Sequence, residues 1–115
     1  MLAKENRIKK NKDFGIIFKK GKRTREKGLT LNWSANGLDV SRFGFIVSKK
    51  VSKKATVRNK IKRRLREIVR GKRHFVKKGM DCALIANPGL EKENYKEISE
   101  IIEKLFKRAG LLKRI

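Results

Sequence analysis

The stretch Arg58-Asn59-Lys60-Ile61-Lys62-Arg63-Arg64-Leu65-Arg66-Glu67-Ile68-Val69-Arg70 carries seven cations and still keeps an apolar periodicity. At about 100° per residue, Ile61, Leu65, Ile68 and Val69 fall on one face, with Val57 just ahead of them. Asn59, Lys62, Arg63, Arg66 and Arg70 fall opposite. Such a helix packs on a core by one side and offers a cationic comb on the other. Folding alone supplies no reason for the comb, whereas a polyanionic partner does.

The charge of the whole chain agrees. Thirty-four Lys and Arg stand against 11 Asp and Glu, +23 over 115 residues, a density whose self-repulsion destabilises the compact state unless a counter-charge is at hand. Residues 1–78 hold 27 of the cations and five of the acids, and the remainder is close to neutral. A basic region running into a neutral segment is the electrostatic footprint of a nucleic-acid binder.

Other classes are disfavoured. The length fits one domain, residues 1–115, expected to bind RNA. No apolar run approaches the roughly 18 residues that cross a bilayer, and Met1–Asn6 lacks a signal-peptide apolar segment, so no membrane partner and a cytoplasmic location are expected. Cys82, within Cys82-Ala83-Leu84-Ile85-Ala86, reads as a small buried hydrophobe. His74, the one imidazole, sits among cations in Gly71-Lys72-Arg73-His74-Phe75 and suits solvent or a phosphate better than general-base work. No cluster has metal-ligand spacing and no Gly-rich loop cradles phosphate. No catalytic residue, metal or cofactor is therefore expected on this chain.

Working outward, Asn11-Lys12-Asp13-Phe14 predicts a helix start capped by Asn11, with Phe14, Ile17 and Phe18 on one face and Gly21 at its end. Leu29, Leu31 and Trp33 alternate with Thr30 and Asn32 as a strand; after the Asn36-Gly37 turn, Phe43, Phe45 and Val47 form another, expected to pair with the first as an antiparallel hairpin. Thr56 is the expected N-cap of the basic helix and Gly71 its end. Asp81–Ala86 reads as a buried strand stopped by Asn87-Pro88-Gly89. Asn94-Tyr95-Lys96-Glu97 reads as a capping box opening a helix whose stripe is Tyr95, Ile98, Ile101, Ile102, Leu105, Phe106 and Ala109. The order of helix, two or three strands, basic helix, strand and helix predicts an α/β (α+β) two-layer sandwich, with a cleft between the short first helix and the sheet.

Arg58-Asn59-Lys60-x-Lys62-Arg63-x-x-Arg66 resembles the Arg-Asn-Arg signature of the bacterial ribonuclease P protein family. Phe45-Ile46-Val47-Ser48-Lys49-Lys50-Val51 resembles its strand and Ser-Lys-Lys turn. Arg7–Gly21 is similar to its first helix, and Asp81–Pro88 to its last strand and turn. Lys60 departs from the family, which usually has a second Arg there; a bidentate phosphate contact becomes a point charge.

The resemblance implies a protein subunit of a tRNA-processing ribozyme. A catalytic RNA that requires magnesium removes the 5′ leader of precursor tRNA by hydrolysis, and the protein binds both RNAs, DNA being no expected partner. It also implies a small mixed sheet with about three helices and a left-handed β-α-β crossover, which general topology disfavours. By the same resemblance, Arg58, Asn59, Lys60, Lys62, Arg63, Arg66 and Arg70, with the loop residues Lys49, Lys50, Lys53 and Lys54, approach RNA. Lys10, Phe14, Phe18 and Asn32 line the leader cleft. At helical spacing alone, Phe14 and Phe18 read as core, and only the resemblance turns them towards leader bases; Trp33 packs inward away from Asn32. A ribosomal protein or RNA chaperone would share the basic helix, and a DNA-compacting protein the charge.

Overall fold

A computed structural model describes residues 3–113. Helix α1 (Asn11–Lys20) is followed by strands β1 (Lys22–Glu26), β2 (Leu29–Ala35) and β3 (Arg42–Val47), then α2 (Ala55–Lys72), β4 (Met80–Ala86) and α3 (Tyr95–Arg108). Short 3-10 turns occupy Lys4–Asn6, Arg73–Phe75 and Leu90–Lys92. The strands form one sheet in the order β1-β2-β4-β3.

That order corrects the expected β2–β3 hairpin. β4 lies between them, antiparallel to β2 and parallel to β3, so β3–α2–β4 is the parallel β-α-β unit. The reason is burial: Cys82, Ala83, Leu84 and Ala86 are apolar on both strand faces, and a central position covers both. The strand paired with the outer edge of β2 is β1, antiparallel, with Lys22 opposite Trp33 and Glu26 opposite Leu29. Its sequence Lys-Arg-Thr-Arg-Glu hides a strand under charge, as edge strands do to discourage further pairing.

One face of the sheet carries the main core. Leu29, Leu31, Phe43, Phe45 and Leu84 meet the stripe Ile61, Leu65, Ile68 and Val69 of α2 and the stripe Ile98, Ile101, Ile102, Leu105 and Phe106 of α3. Phe43 and Phe106 pack edge to face with centroids 6.3 Å apart. Trp33 is half-buried against this core, as its strand parity requires. α1 packs on the opposite face, where Ile8, Ile17 and Ala83 form a small cluster with Phe14.

The helix ends differ in detail from expectation. Asn11 is already helical and Lys10 holds the N-cap without a side-chain bond; likewise Thr56 lies inside α2, whose N-cap is Lys54. Gly71 stays within α2. The capping box of α3 forms: Asn94 Oδ1 accepts the Glu97 N–H at 2.8 Å and Glu97 Oε1 accepts the Asn94 N–H at 3.0 Å. Tyr95 is not part of the buried stripe, being 50% exposed at the first turn.

Asp81 ties the start of β4 to its neighbours. It accepts hydrogen bonds from Arg42 Nε at 2.9 Å and Nη2 at 2.6 Å, and from Asn36 Nδ2 at 2.8 Å. Bonding to Asp81 holds the Arg42 guanidinium above its ordinary range despite partial desolvation, and Asp13 of α1, 3.6 Å away, adds to it. Asp81→Ala should cost about 2–4 kcal/mol, slightly under the figure for a fully buried pair because Arg42 regains some water; urea unfolding at constant m-value measures it. Gly44→Ala should cost about 1–3 kcal/mol by overpacking, since an added Cβ would fall within the Phe14 ring. Phe14→Leu in the same chain should recover part of that loss.

Candidate nucleic-acid interface

The cleft beside α1 follows from side-chain size. Strand register aligns Asn32, Ala83 and Gly44 across the sheet, so bulk falls to nothing towards β3. α1 lies on this descending row with Ile17 and Phe14, and Gly21 leaves α1 where a Cβ would strike the carbonyls of Ile17 and Trp33. The next row on the same face is Thr30, Ile85 and Ile46, of which the two isoleucines are only half-buried. Ile17, Phe18, Gly21, Arg23, Asn32 and Ile85 bound a cavity of about 430 Å³ there.

The two phenylalanines divide the roles that sequence spacing left open. Their rings are stacked at 6.3 Å, yet Phe14 is half-buried over Gly44 whereas Phe18 is 48% exposed at the cavity. Phe14 is a packing residue, and Phe18 presents a ring. Asn32 is buried, and its Oδ1 has no hydrogen-bond partner among the described residues. A buried acceptor of this kind is met by an ordered water or by a ligand group. Arg23, which sequence reasoning did not single out, lines the same cavity from β1, whose all-polar sequence offers no alternation to mark it.

Lys10 lies apart from these three. At the other end of α1 it borders a cavity of about 220 Å³ with Lys4, Arg7, Lys9 and Arg42, alongside Glu5 and Asp13. Local desolvation and the charges of Lys4 and Arg7 lower the basicity of Lys9.

On α2, Asn59, Lys60, Arg63 and Arg70 are exposed, with Lys62 and Arg66 half-buried along their stems. None of these cations takes part in the four salt bridges found among the described residues. Their charge is uncompensated within the protein. Arg58 differs: its Nη1 donates to the carbonyls of Ser52 and Lys53, both at 2.9 Å, so it clamps the preceding loop. Within that loop Ser48 Oγ accepts the Lys50 N–H and Ser52 Oγ the Lys54 N–H, leaving Lys49, Lys50, Lys53 and Lys54 exposed. The arrangement suits phosphates held along α2 and its loop, and bases held at Phe18 and Asn32.

Known proteins share this architecture. The family model described as "Ribonuclease P" matches residues 2–110. The chain is 39% identical over 114 residues to the ribonuclease P protein component of Syntrophomonas wolfei, covering 99% of this chain and 95% of that protein. With the same-named protein of Synechocystis the identity is 38% over 112 residues, covering 96% and 90%. Among solved structures, the Staphylococcus aureus RNase P protein superposes with a TM-score of 0.86 at 32% identity, covering 94% of this chain and 98% of that one. The Thermotoga maritima RNase P protein gives 0.81 at 35% identity, covering 89% and 96%.

Replacing Arg63, Arg66 and Arg70 together by Ala should weaken RNA binding and flatten its salt dependence by up to about 0.7–0.9 in the log–log slope per lost phosphate contact. Titrations at several salt concentrations measure this, and Arg58→Ala should change the slope less than any of the three.

Proposed function

Because the chain belongs to the ribonuclease P protein family, we propose that it acts within a holoenzyme whose catalytic RNA performs the hydrolysis, holding that RNA with α2 and the 5′ leader of precursor tRNA in the cleft of α1. The observation that carries this is the separation of two surfaces. A comb of unpaired cations lies on α2, on one side of the sheet, while the exposed Phe18 ring and the Asn32 amide lie on the other. One protein can therefore hold two RNA strands at once.

The chemistry assigned to this chain is binding and orientation. Leader bases stack on Phe18, Asn32 meets a base edge through a bridging water, and Arg23 faces the leader phosphates. Lys49, Lys50, Lys53 and Lys54, with the comb of α2, lower the repulsion between catalytic RNA and substrate. The magnesium ions and the attacking water belong to the RNA. Consistent with that division, burial pushes the Cys82 thiol far above its ordinary range, with Asp81 adding to the shift, so it is no nucleophile. His74 is exposed and makes no side-chain hydrogen bond among the described residues.

Mixing the chain with ribonuclease P RNA and precursor tRNA at low magnesium should restore cleavage at the 5′ end of the mature tRNA; no gain over RNA alone would overturn the assignment. In the same holoenzyme Phe18→Leu should weaken binding of long-leader precursor tRNA by about 5- to 150-fold, the worth of one stacked base, with mature tRNA unaffected. Phe14→Leu should instead lower the stability of the free protein. Equal losses for both tRNAs with Phe18→Leu would remove the leader from this cleft.

A further inference from the structure

A second aromatic lies outside the cleft. Tyr95, the first residue of α3, falls within the angular range of that helix's apolar stripe, yet it stands half exposed because the core ends before reaching it. What α2 presents to it is polar: Lys60, Arg63, Arg64 and Glu67 close a groove of about 540 Å³ with Tyr95 as the remaining wall. Had Tyr95 served only to anchor α3, apolar residues would be expected opposite it.

We propose that this groove is a binding site for one unpaired nucleotide of the catalytic RNA, its base on the Tyr95 ring and its flanking phosphates on Lys60, Arg63 and Arg64; the proposal rests on the subunit reading above. Three features select this occupant. The groove's volume is of the size that takes a small organic ligand. Its three cations outnumber Glu67, the single acid of α2, and they sit beside an exposed π-face, the combination that holds single-stranded nucleic acid. The third feature is the start of α3, where Glu97 already caps the Asn94 N–H at 3.0 Å. Carboxylates there repel phosphate from the helix end and direct it to α2. An acidic peptide is disfavoured because its side chains would meet Glu67 in the groove.

Glu67 gives the site a preference. An ionised carboxylate only accepts hydrogen bonds, so the favoured base is guanine, whose adjacent N1–H and N2 amino group can donate to both oxygens, whereas adenine, cytosine and uracil each set a donor beside an acceptor. The nucleotide must be unpaired, because an A-form duplex offers neither a free base face nor a free pairing edge. The groove opens on the α2–α3 side of the sheet, away from the α1 cleft, which places it against the RNA bound by α2 and not against the leader.

The test is the affinity of the wild-type chain and Tyr95 variants for full-length ribonuclease P RNA, over a range of salt. Tyr95→Ala should weaken binding by about 5- to 150-fold with an unchanged salt slope, since no phosphate contact is lost. Tyr95→Phe and Tyr95→Trp should bind within about threefold of wild type, aromatic stacking needing no hydroxyl. Lys60→Ala and Arg64→Ala should flatten the slope. At saturating protein, the preference for precursor over mature tRNA should stay the same in every Tyr95 variant. Wild-type affinity in Tyr95→Ala, or equal losses in Phe, Trp and Ala, would overturn the site. Tyr95→Leu, which keeps apolar packing, guards against a folding defect: if it binds like wild type, stacking is excluded. Failure of the wild-type chain to bind the RNA would sink the subunit reading and this site together, whereas normal binding indifferent to Tyr95 would sink the site alone.

Discussion

Everything in this protein hangs on β4, a strand that is apolar on both faces and therefore has to be central. Its two neighbours arrive from opposite directions, β2 antiparallel and β3 parallel, and each contributes one side of both layers. Leu84 and Cys82 point to α2 and α3, whereas Ala83 points to α1. The alignment is fixed at one end by Asp81, which gathers Arg42 from β3 and Asn36 from the turn after β2. A carboxylate with three donors at the mouth of a central strand sets the register of the whole sheet, and a slip by one residue would both break it and turn Ala83 into the main core.

Small residues are as consequential as large ones on the α1 side. Gly44 leaves the space that the Phe14 ring fills, and Ala83 keeps the middle of the sheet low beneath Ile17. Phe18 stays exposed at the cavity beside Asn32 and Ile85. What lies opposite on the sheet thus turns two chemically identical residues, one helical turn apart, into a packing residue and a presented ring.

Much of this was legible in the sequence, for physical reasons. α2 and α3 announce themselves because long amphipathic periodicities have few alternatives, and the capping box of α3 forms as its residues specify. β2 and β4 were legible as strands, but not as neighbours. Alternation says which face a residue takes and nothing about which strand lies beside it, so the nearest apolar run, β3, looked like the partner of β2. β1 escaped because an edge strand exposed on both sides carries charge where a core strand carries hydrophobes. At the candidate interface, the positions of the comb were readable from the helical wheel, but the clamp made by Arg58 depends on the carbonyls of Ser52 and Lys53, which no periodicity reveals. Phe14 and Phe18 could not be separated without knowing that Gly44 lies opposite one of them. Tyr95 fitted the stripe by angle and was exposed by position, a distinction that depends on where the core stops.

The placement of β4 has a kinetic side. It is the last strand in the chain and joins β2 to β3, so during synthesis residues 1–78 emerge with β2 able to pair only with β1 and β3 left without its neighbour in the sheet. Long-range pairing is slow to nucleate, and the waiting segment holds 27 of the 34 cations. Until β4 arrives the sheet is incomplete and the nascent chain is a polycation, able to bind nucleic acid nearby. Once the sheet closes, α2's cations are fixed on one side of a helix; an RNA that fits them binds the native state over the unfolded one and adds to its stability by mass action.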